Sequence, residues 1–584
     1  MNSKQLLTLQ TITTIPLLVF ILFYGHSVSA LYLSIPIILT LFLGYNFFKF
    51  IKKESIIKPP LLLILVISFL FYAFIQLGSK EAPQTFEKID INTNSKQIVF
   101  DFKKEQQVDK FCYYIGIDKN IKFRLGYFKN SNWKRFYKYD KNFPFSFRWN
   151  CEKVNIKTSK IGILVSKGEA TFGEIRFMDK NRSITFTTKE LKRLNDETNI
   201  KIDTTYYGGM FFDEIYFART AYEILHNLKI YETTHPFLGK ALISQGIKLF
   251  GMTPYGWRFI NVLFGALMIV IIYYLALLIF KNSLYAISSS IVMSYSFMHL
   301  TQARISIIDT FGVSFVMLSY YFLYRFIVKE KLSWLFISGI FFGLASAIKW
   351  SAVFASIGFI FIAFYLLISK YPLKKSFAGY RLIVYGILSY IIIGIGVYYL
   401  TFYIYMEDNS FSSIIKYQID MYKYHSALQA THPYSSQWWS WIIDYRPMCY
   451  YREIVGDRFN SITVFGNPAI FWTGILALLY LTYSAIRTKK LESAFILSAF
   501  LGLYLPYIFV GRLMFIYHFY YAVPFLILSI IYMFKELIDK EKILYLYLII
   551  VVALFLIYFP VLSGTEIAKW YVDNYLVWFK GWWL

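Results

Sequence analysis

The sequence predicts a polytopic α-helical membrane protein with a β-rich domain inserted on its outer side. Three observations predict it. Of the 584 residues, 57% are hydrophobic and 16% are charged, against about 45–50% and about 25% in a soluble domain. The apolar residues gather into runs of the length that crosses a hydrocarbon core, about 20 residues. Two long polar stretches interrupt those runs, and the first alternates with the period of a strand. The composition also excludes other classes. A chain with 51 Tyr, 58 Phe and 13 Trp carries too much apolar surface to stay disordered. A count of 3 Cys excludes a disulfide scaffold.

The runs fall near 11–24, 30–50 and 60–78, then 256–280, 283–300, 304–324, 333–349, 351–369 and 382–405, then 470–486, 491–510, 513–534 and 543–562. They predict about 13 transmembrane helices. The first run is not a cleavable signal peptide, because it lacks a compact positive region and a second span follows at once. The divisions are amino-terminal helices over 1–79, a β domain over 80–200, an outer loop over 201–255, central helices over 256–405, a second outer loop over 406–469, and carboxy-terminal helices with an outer tail over 470–584.

Charge orients the chain. The net charge is +25, from 60 Lys+Arg against 35 Asp+Glu. In a soluble protein that balance suggests nucleic acid, but here alternate short loops carry it. They include Lys52 and Lys53, Lys281, Arg325 and Lys329, Lys374 and Lys375, Arg487 and Lys489, and Lys540 and Lys542. Basic loops stay cytoplasmic. Threading the spans through them puts the amino terminus inside and both polar segments outside. The expected location is the cytoplasmic (inner) membrane, with membrane lipids and not nucleic acid as surroundings.

The first outer segment reads as short strands: IVFDF (98–102), CYYIGI (112–117), IKFRLGYF (121–128), FSFRW (145–149), IGILVS (161–166), GEIRFMD (173–179) and SITFTT (183–188). Regular short strands with period-2 patterning predict a β-sandwich. Its end, over 161–179, is similar to the last strands of galactose-binding-like jelly rolls, which implies either a carbohydrate-binding module or a spacer. Cys112 and Cys151 both lie here. Spacing leaves a disulfide and two core thiols equally open.

The stretch from 200 to 255 concentrates ionisable residues. Asp213-Glu214 begin a helical pattern of Ile215, Ala218, Tyr222 and Leu225. Acids at a helix start are favoured by the dipole, so the pair is either a cap or a proton acceptor at the membrane surface. His235-Pro236 and Gly239-Lys240 then form a turn into a second amphipathic helix.

The order Asp-Glu, then HPFLGK (235–240), then a span beginning YGWRFIN (255–261) resembles the protein O-mannosyltransferases, members of the GT-C superfold of membrane glycosyltransferases. Further stretches resemble the family in the same order: ARISIIDTF (303–311), AIKWSA (347–352), YHSALQATHPYSSQWWSWIIDYRP (424–447), GNP (466–468) and RLMFIYHFYYAVP (512–524). The similarity covers about 205–535. Phe237 stands where the family has a second Pro. Two extra spans precede the helix that matches the family's first, and the β domain is a further departure. The loop over 406–469 lacks the MIR domain of the eukaryotic members, which points to the bacterial branch.

The resemblance implies transfer of a sugar, expected to be mannose, from a polyprenyl-phosphate donor to Ser or Thr hydroxyls of exported proteins, with inversion and no covalent intermediate. Asp213 is the expected base and Glu214 the second catalytic acid. Arg304 is the first candidate for the donor phosphate and Arg512 the second, with Lys349 at the same outer level. Asp309 lies about one turn from Arg304 and is expected to orient it. Snorkelling to lipid phosphate is the alternative for these cations. His432, Tyr434, Trp438, Trp439 and Trp441 line an acceptor pocket or else form an interfacial aromatic belt. His235, Lys240, Arg446 and His518 are substrate-binding candidates from their motifs. No cofactor is expected and no metal, although Glu214 with His235 stays open as a ligand pair. His26, His226 and His299 are expected to be structural or interfacial. Two other readings stand beside this one: a GT-C enzyme acting on a lipid or envelope glycan, of the aminoarabinose-transferase kind, and a transporter. The lack of paired broken helices weighs against the transporter.

Overall fold

A computed structural model describes residues 59–584, except 93–96, 130–131, 140–145, 181, 189–193, 195, 371–376, 407 and 538–540, together with Gln5, Thr8 and Thr11. The expected spans at 11–24 and 30–50 lie outside the described residues. Two compact units result. One comprises residues 1–75, 232–239 and 261–584, and the other comprises 76–231 and 240–260.

The larger unit is mainly helical, with a small antiparallel sheet of Met448–Val455, Arg458–Val464 and Ile567–Ala568. Among the described residues of the chain, seven helices are long and apolar enough to cross a membrane: Pro254–Phe280, Asp309–Lys329, Trp350–Ser369, Gly379–Tyr405, Pro468–Arg487, Leu491–Phe509 and Glu541–Ser563. Leu61–Phe74, Ser283–Ser294 and Leu332–Ser346 are shorter apolar helices. Two expected spans differ. The run at 283–300 breaks at Tyr295, giving helices Ser283–Ser294 and Phe297–Ala303. The run at 513–534 starts as a 3-10 turn over Ile516–Tyr521 before the helix Val523–Leu537.

Small residues let two of these helices touch. A Cβ on Gly339 would sit 2.2 Å from the Ser389 carbonyl oxygen, and one on Gly343 would sit 2.5 Å from that of Gly394. Glycine four residues apart thus permits backbone-to-backbone packing. The other side of that partner helix leaves Ile383, Val384, Ile387, Ile391, Ile392 and Ile395 exposed, an apolar face of the kind lipid covers.

The smaller unit is built on one antiparallel sheet of five strands: β1 (Glu87–Asp90), β2 (Gln97–Lys129), β3 (Asn132–Tyr139), β4 (Arg148–Asp179) and β5 (Arg182–Ile184). The order is β1-β4-β2-β3, with β5 on β4. The runs expected as short strands lie along β2, β4 and β5. The short runs merge because β2 and β4 pair across repeated register shifts. Ile161–Leu164 pairs both with Gln97–Phe100 and with Arg124–Tyr127, and Phe111–Tyr114 pairs both with Trp149–Glu152 and with Glu174–Phe177. The inward-facing residues form one aromatic core that includes Phe100, Phe111, Tyr113, Phe123, Phe172 and Phe177. Cys112 and Cys151 face each other in this register and form a disulfide. The excursion that contains the sheet is closed at its base: the Ser79 amide donates to the Tyr207 carbonyl at 2.8 Å.

Candidate functional site

The Asp-Glu pair opens the helix Glu214–Leu225, with Asp213 at its cap position. The two acids have different environments. Glu214 is fully buried, and its carboxylate takes two bonds of 2.7 Å from the Nε and Nη2 of Arg258. Arg258 is fully buried as well and donates also to the Leu77 and Gly209 carbonyls. Glu214 is thus a structural anion, the partner of a charge that water cannot reach. This corrects its expected place beside Asp213 as a catalytic acid. Asp213 accepts the Tyr216 and Phe217 amides through its backbone oxygen, while its side chain makes no capping bond. The capping reading therefore does not describe its carboxylate, which is partly exposed. Lys240, in the first turn of helix Leu238–Phe250, is fully buried.

The helical unit holds a cavity of about 630 Å³ lined by His235, Lys349, His425, Tyr507, Arg512 and His518, among others. Lys349 is buried and pairs with Asp309 at 2.8 and 3.1 Å. Its ammonium lies 5.5 Å from the Tyr517 ring. Asp309 therefore serves Lys349 and does not orient Arg304 as expected.

Arg512 meets His425, Nη1 to Nδ1, at 2.6 Å. The other imidazole nitrogen, Nε2, lies 2.7 Å from the Thr234 carbonyl. A carbonyl only accepts, so Nε2 carries the proton and Nδ1 accepts from the guanidinium. Burial, with the nearby His235 and Arg512, pushes His425 down to about 4. The ring is neutral near pH 7, and Arg512 keeps its charge with no carboxylate partner among the described residues. His235 bonds Glu232 at 3.1 Å through Nδ1, and Thr234 bonds the same carboxylate.

Arg304 has a different setting. Its Nη1 donates to the Tyr72, Ala73 and Ile75 carbonyls at 3.2, 2.7 and 2.7 Å, and its Nη2 to the Ser563 carbonyl at 3.0 Å. These are the open carbonyl ends of two helices. Arg304 joins them, so its expected role as first phosphate ligand is corrected to a packing role.

The loop aromatics divide. Trp441 is fully buried and stacks on His518 at 5.9 Å. Trp438 packs at 5.4 Å on Tyr504. Trp439 is 56% exposed and, with Ser435, Gln437 and Arg446, lines a second depression of about 350 Å³. Gly511 and Arg512 line both hollows. Arg446 donates to the Pro433 and Ser435 carbonyls, and the Tyr434 amide donates to His432 Nδ1. These contacts hold the loop in shape. Sequence reading missed His425 and Arg258. His425 stood inside a quoted motif, one of only 7 His in the chain, whereas nothing local to Arg258 marks its partner 44 positions earlier.

Comparison with known proteins places this architecture. Residues 234–395 match the family model described as dolichyl-phosphate-mannose-protein mannosyltransferase. Residues 410–582 match the C-terminal four-transmembrane region of protein-O-mannosyltransferase. Asp213 and the sheet precede both matched segments. A polyprenol-phosphate-mannose–protein mannosyltransferase of Corynebacterium glutamicum is 25% identical over 429 residues, which is 60% of this chain and 81% of that protein. The protein of the same name from Mycobacterium tuberculosis is 22% identical over 456 residues, 64% of this chain and 87% of that one. In fold, the chain is similar to the S. cerevisiae protein O-mannosyltransferase Pmt1-Pmt2 complex bound to the sugar donor, with a TM-score of 0.56 at 13% identity over 63% of this chain and 88% of that one. With helices of membrane-spanning length, a matching fold and two family models meeting its central and carboxy-terminal segments, the chain belongs to the protein O-mannosyltransferase family.

Proposed function

We infer that the protein moves a mannosyl group from a polyprenyl-phosphate donor to Ser or Thr hydroxyls of exported proteins, at the outer face of the cytoplasmic membrane. Membership of the family supports the reaction class. The observation that carries the site is the cavity in which Arg512 keeps an uncompensated positive charge beside the Lys349–Asp309 pair. A leaving phosphate gains negative charge in the transition state, and a preorganised guanidinium stabilises it there more than in the ground state. Lys349 is already neutralised by Asp309, so Arg512 ranks first.

The chemistry is a single displacement. Asp213 takes the proton of the acceptor hydroxyl. The hydroxyl oxygen forms a bond to the anomeric carbon as the bond from that carbon to the phosphate oxygen breaks, its electron pair leaving on the phosphate. Configuration inverts, and the reaction as written needs no cofactor. Asp213→Asn preserves size and removes the base. Transfer from a polyprenyl-phosphate mannose to a Ser/Thr-rich peptide, measured in nanodiscs, should fall by about 10²–10⁴-fold with donor binding retained. Turnover near that of the wild type would refute Asp213 as the base.

A further inference from the structure

The unit that carries the sheet holds its own cavity, of about 480 Å³, within the range of about 300–1,000 Å³ typical of small-molecule sites. Strand register builds one wall. Lys119 stands opposite Glu169 across β2 and β4, and β1 brings Lys88 alongside. The turn that shapes this corner uses Asn120 at φ 56° and Gly168 at φ 72°. A Cβ at Gly168 would lie 2.4 Å from the Asn120 carbonyl oxygen, so the corner closes only on glycine. The other wall is the helix Glu214–Leu225 and the loop after it, which contribute Arg219, Glu223 and Tyr231.

Most of the charges that line this cavity are committed to one another. Lys88 and Lys119 both pair with Glu169 at 2.5 Å. Arg219 pairs with Glu223 at 3.0 Å, donates from Nη2 to the Asp118 carbonyl at 3.0 Å, and lies 3.9 Å from the Tyr231 ring centre. One donor is left over. Arg219 is 2% exposed, and its Nη1 has no hydrogen-bond partner. Buried donors are nearly always satisfied, so an orphan on a cavity wall asks for an acceptor from a ligand. Tyr231 and Leu228, each 42% exposed, add apolar surface at the lip.

The lining selects among ligands. An anion meets Asp118, Glu169 and Glu223 as well as Lys88, Lys119, Arg219 and Lys229, so the carboxylates oppose most of its attraction. A purely apolar molecule strips water from the paired ammonium and carboxylate groups and offers them nothing in return. A neutral polyol offers donors and acceptors together, and its C–H faces suit Tyr231 and Leu228. We propose that this cavity is a carbohydrate-binding site for a neutral saccharide of one or two hexose units. The proposal goes beyond the transfer reaction and rests on the sheet-bearing unit alone.

The test uses the full chain in nanodiscs without donor. Saturation-transfer NMR is run with methyl mannoside, methyl glucoside, methyl galactoside and maltose, and with acetate and inorganic phosphate as anionic probes. At least one sugar should bind saturably. Arg219→Lys and Tyr231→Ala should each weaken it about tenfold or more. Tyr231 is half-exposed, so that variant keeps its fold, and thermal unfolding checks both. His425→Ala, in the other cavity, should leave sugar binding unchanged. The proposal is overturned if no sugar binds, if only the anions bind, if both variants bind like the wild type, or if His425→Ala abolishes binding.

Discussion

Replacing Glu214 by Gln tests whether the second acid of the pair supports the structure or the chemistry. The change removes one negative charge and almost no volume. It leaves the Arg258 guanidinium fully buried and without its counter-ion, where two of its four hydrogen bonds went to the carboxylate. Both contacts measure 2.7 Å and neither residue is exposed, so water cannot take over. Breaking a buried pair from one side costs about 3–5 kcal/mol. For a unit of this size that lowers the melting temperature by on the order of 10 °C. Trp257, 5.8 Å from the guanidinium, gives a local fluorescence signal for the transition in detergent. Adding Arg258→Met should recover part of the loss. Recovery stays partial, because the Leu77 and Gly209 carbonyls lose their donor. Asp213→Asn, by contrast, should melt like the wild type while losing transfer. A Glu214→Gln protein as stable as the wild type would refute the structural assignment and return Glu214 to the catalytic acids.

Arg512→Ala should weaken donor binding and transfer together, about 10–100-fold by loss of a charged contact, while Arg304→Ala should lower thermal stability more than donor affinity; donor titration and melting on the same samples separate the two. Reducing the disulfide, or replacing Cys112 and Cys151 by Ser, releases a closed loop with a sequence separation of 39 and should destabilise the sheet unit by about 4 kcal/mol, read by chemical denaturation. Glu174 gives a pH signature. Burial pushes its carboxyl up to about 7, against the opposing pull of the Glu197 amide and Arg176. The folded state therefore holds a proton that the unfolded state has lost, and stability should fall as pH rises from about 4.5 to about 7. Glu174→Gln should flatten that slope, measured as the denaturation midpoint against pH.

Hydropathy revealed most helices because lipid-facing surface is written in runs, as at Ile383–Ile395, where nearly every side chain is apolar. It did not reveal the break at Tyr295, since Ser296 turns to an extended conformation without any proline or glycine to mark it. Alternation exposed the strands of the inserted domain but not their merger, because register between β2 and β4 is set by cross-strand pairing and not by either strand alone. The site was legible as a set of residue types and motifs. The pairings inside it were not. Asp309 is nearer in sequence to Arg304 than to Lys349, yet helix packing brings the lysine to it. Arg304 looks like a phosphate ligand on any linear reading, and only the helix ends at Ile75 and Ser563 show where its donors go.

The hydrogen bond between Ser79 and Tyr207 has a consequence for how this protein can be altered. The chain departs at one residue and returns at the neighbour of that residue in space, so the whole sheet is a detour whose two ends already touch. A short turn joining them would restore continuity without displacing either end, and the register of Asp213, six residues further on, would be inherited from Tyr207 and not from the sheet. The detour can therefore grow, shrink or be exchanged for a different module as a cassette. What such an exchange must carry with it is a replacement for the Asp118 carbonyl that Arg219 binds, a sheet-derived contact that reaches the helix beginning at the Asp-Glu pair through a buried charge.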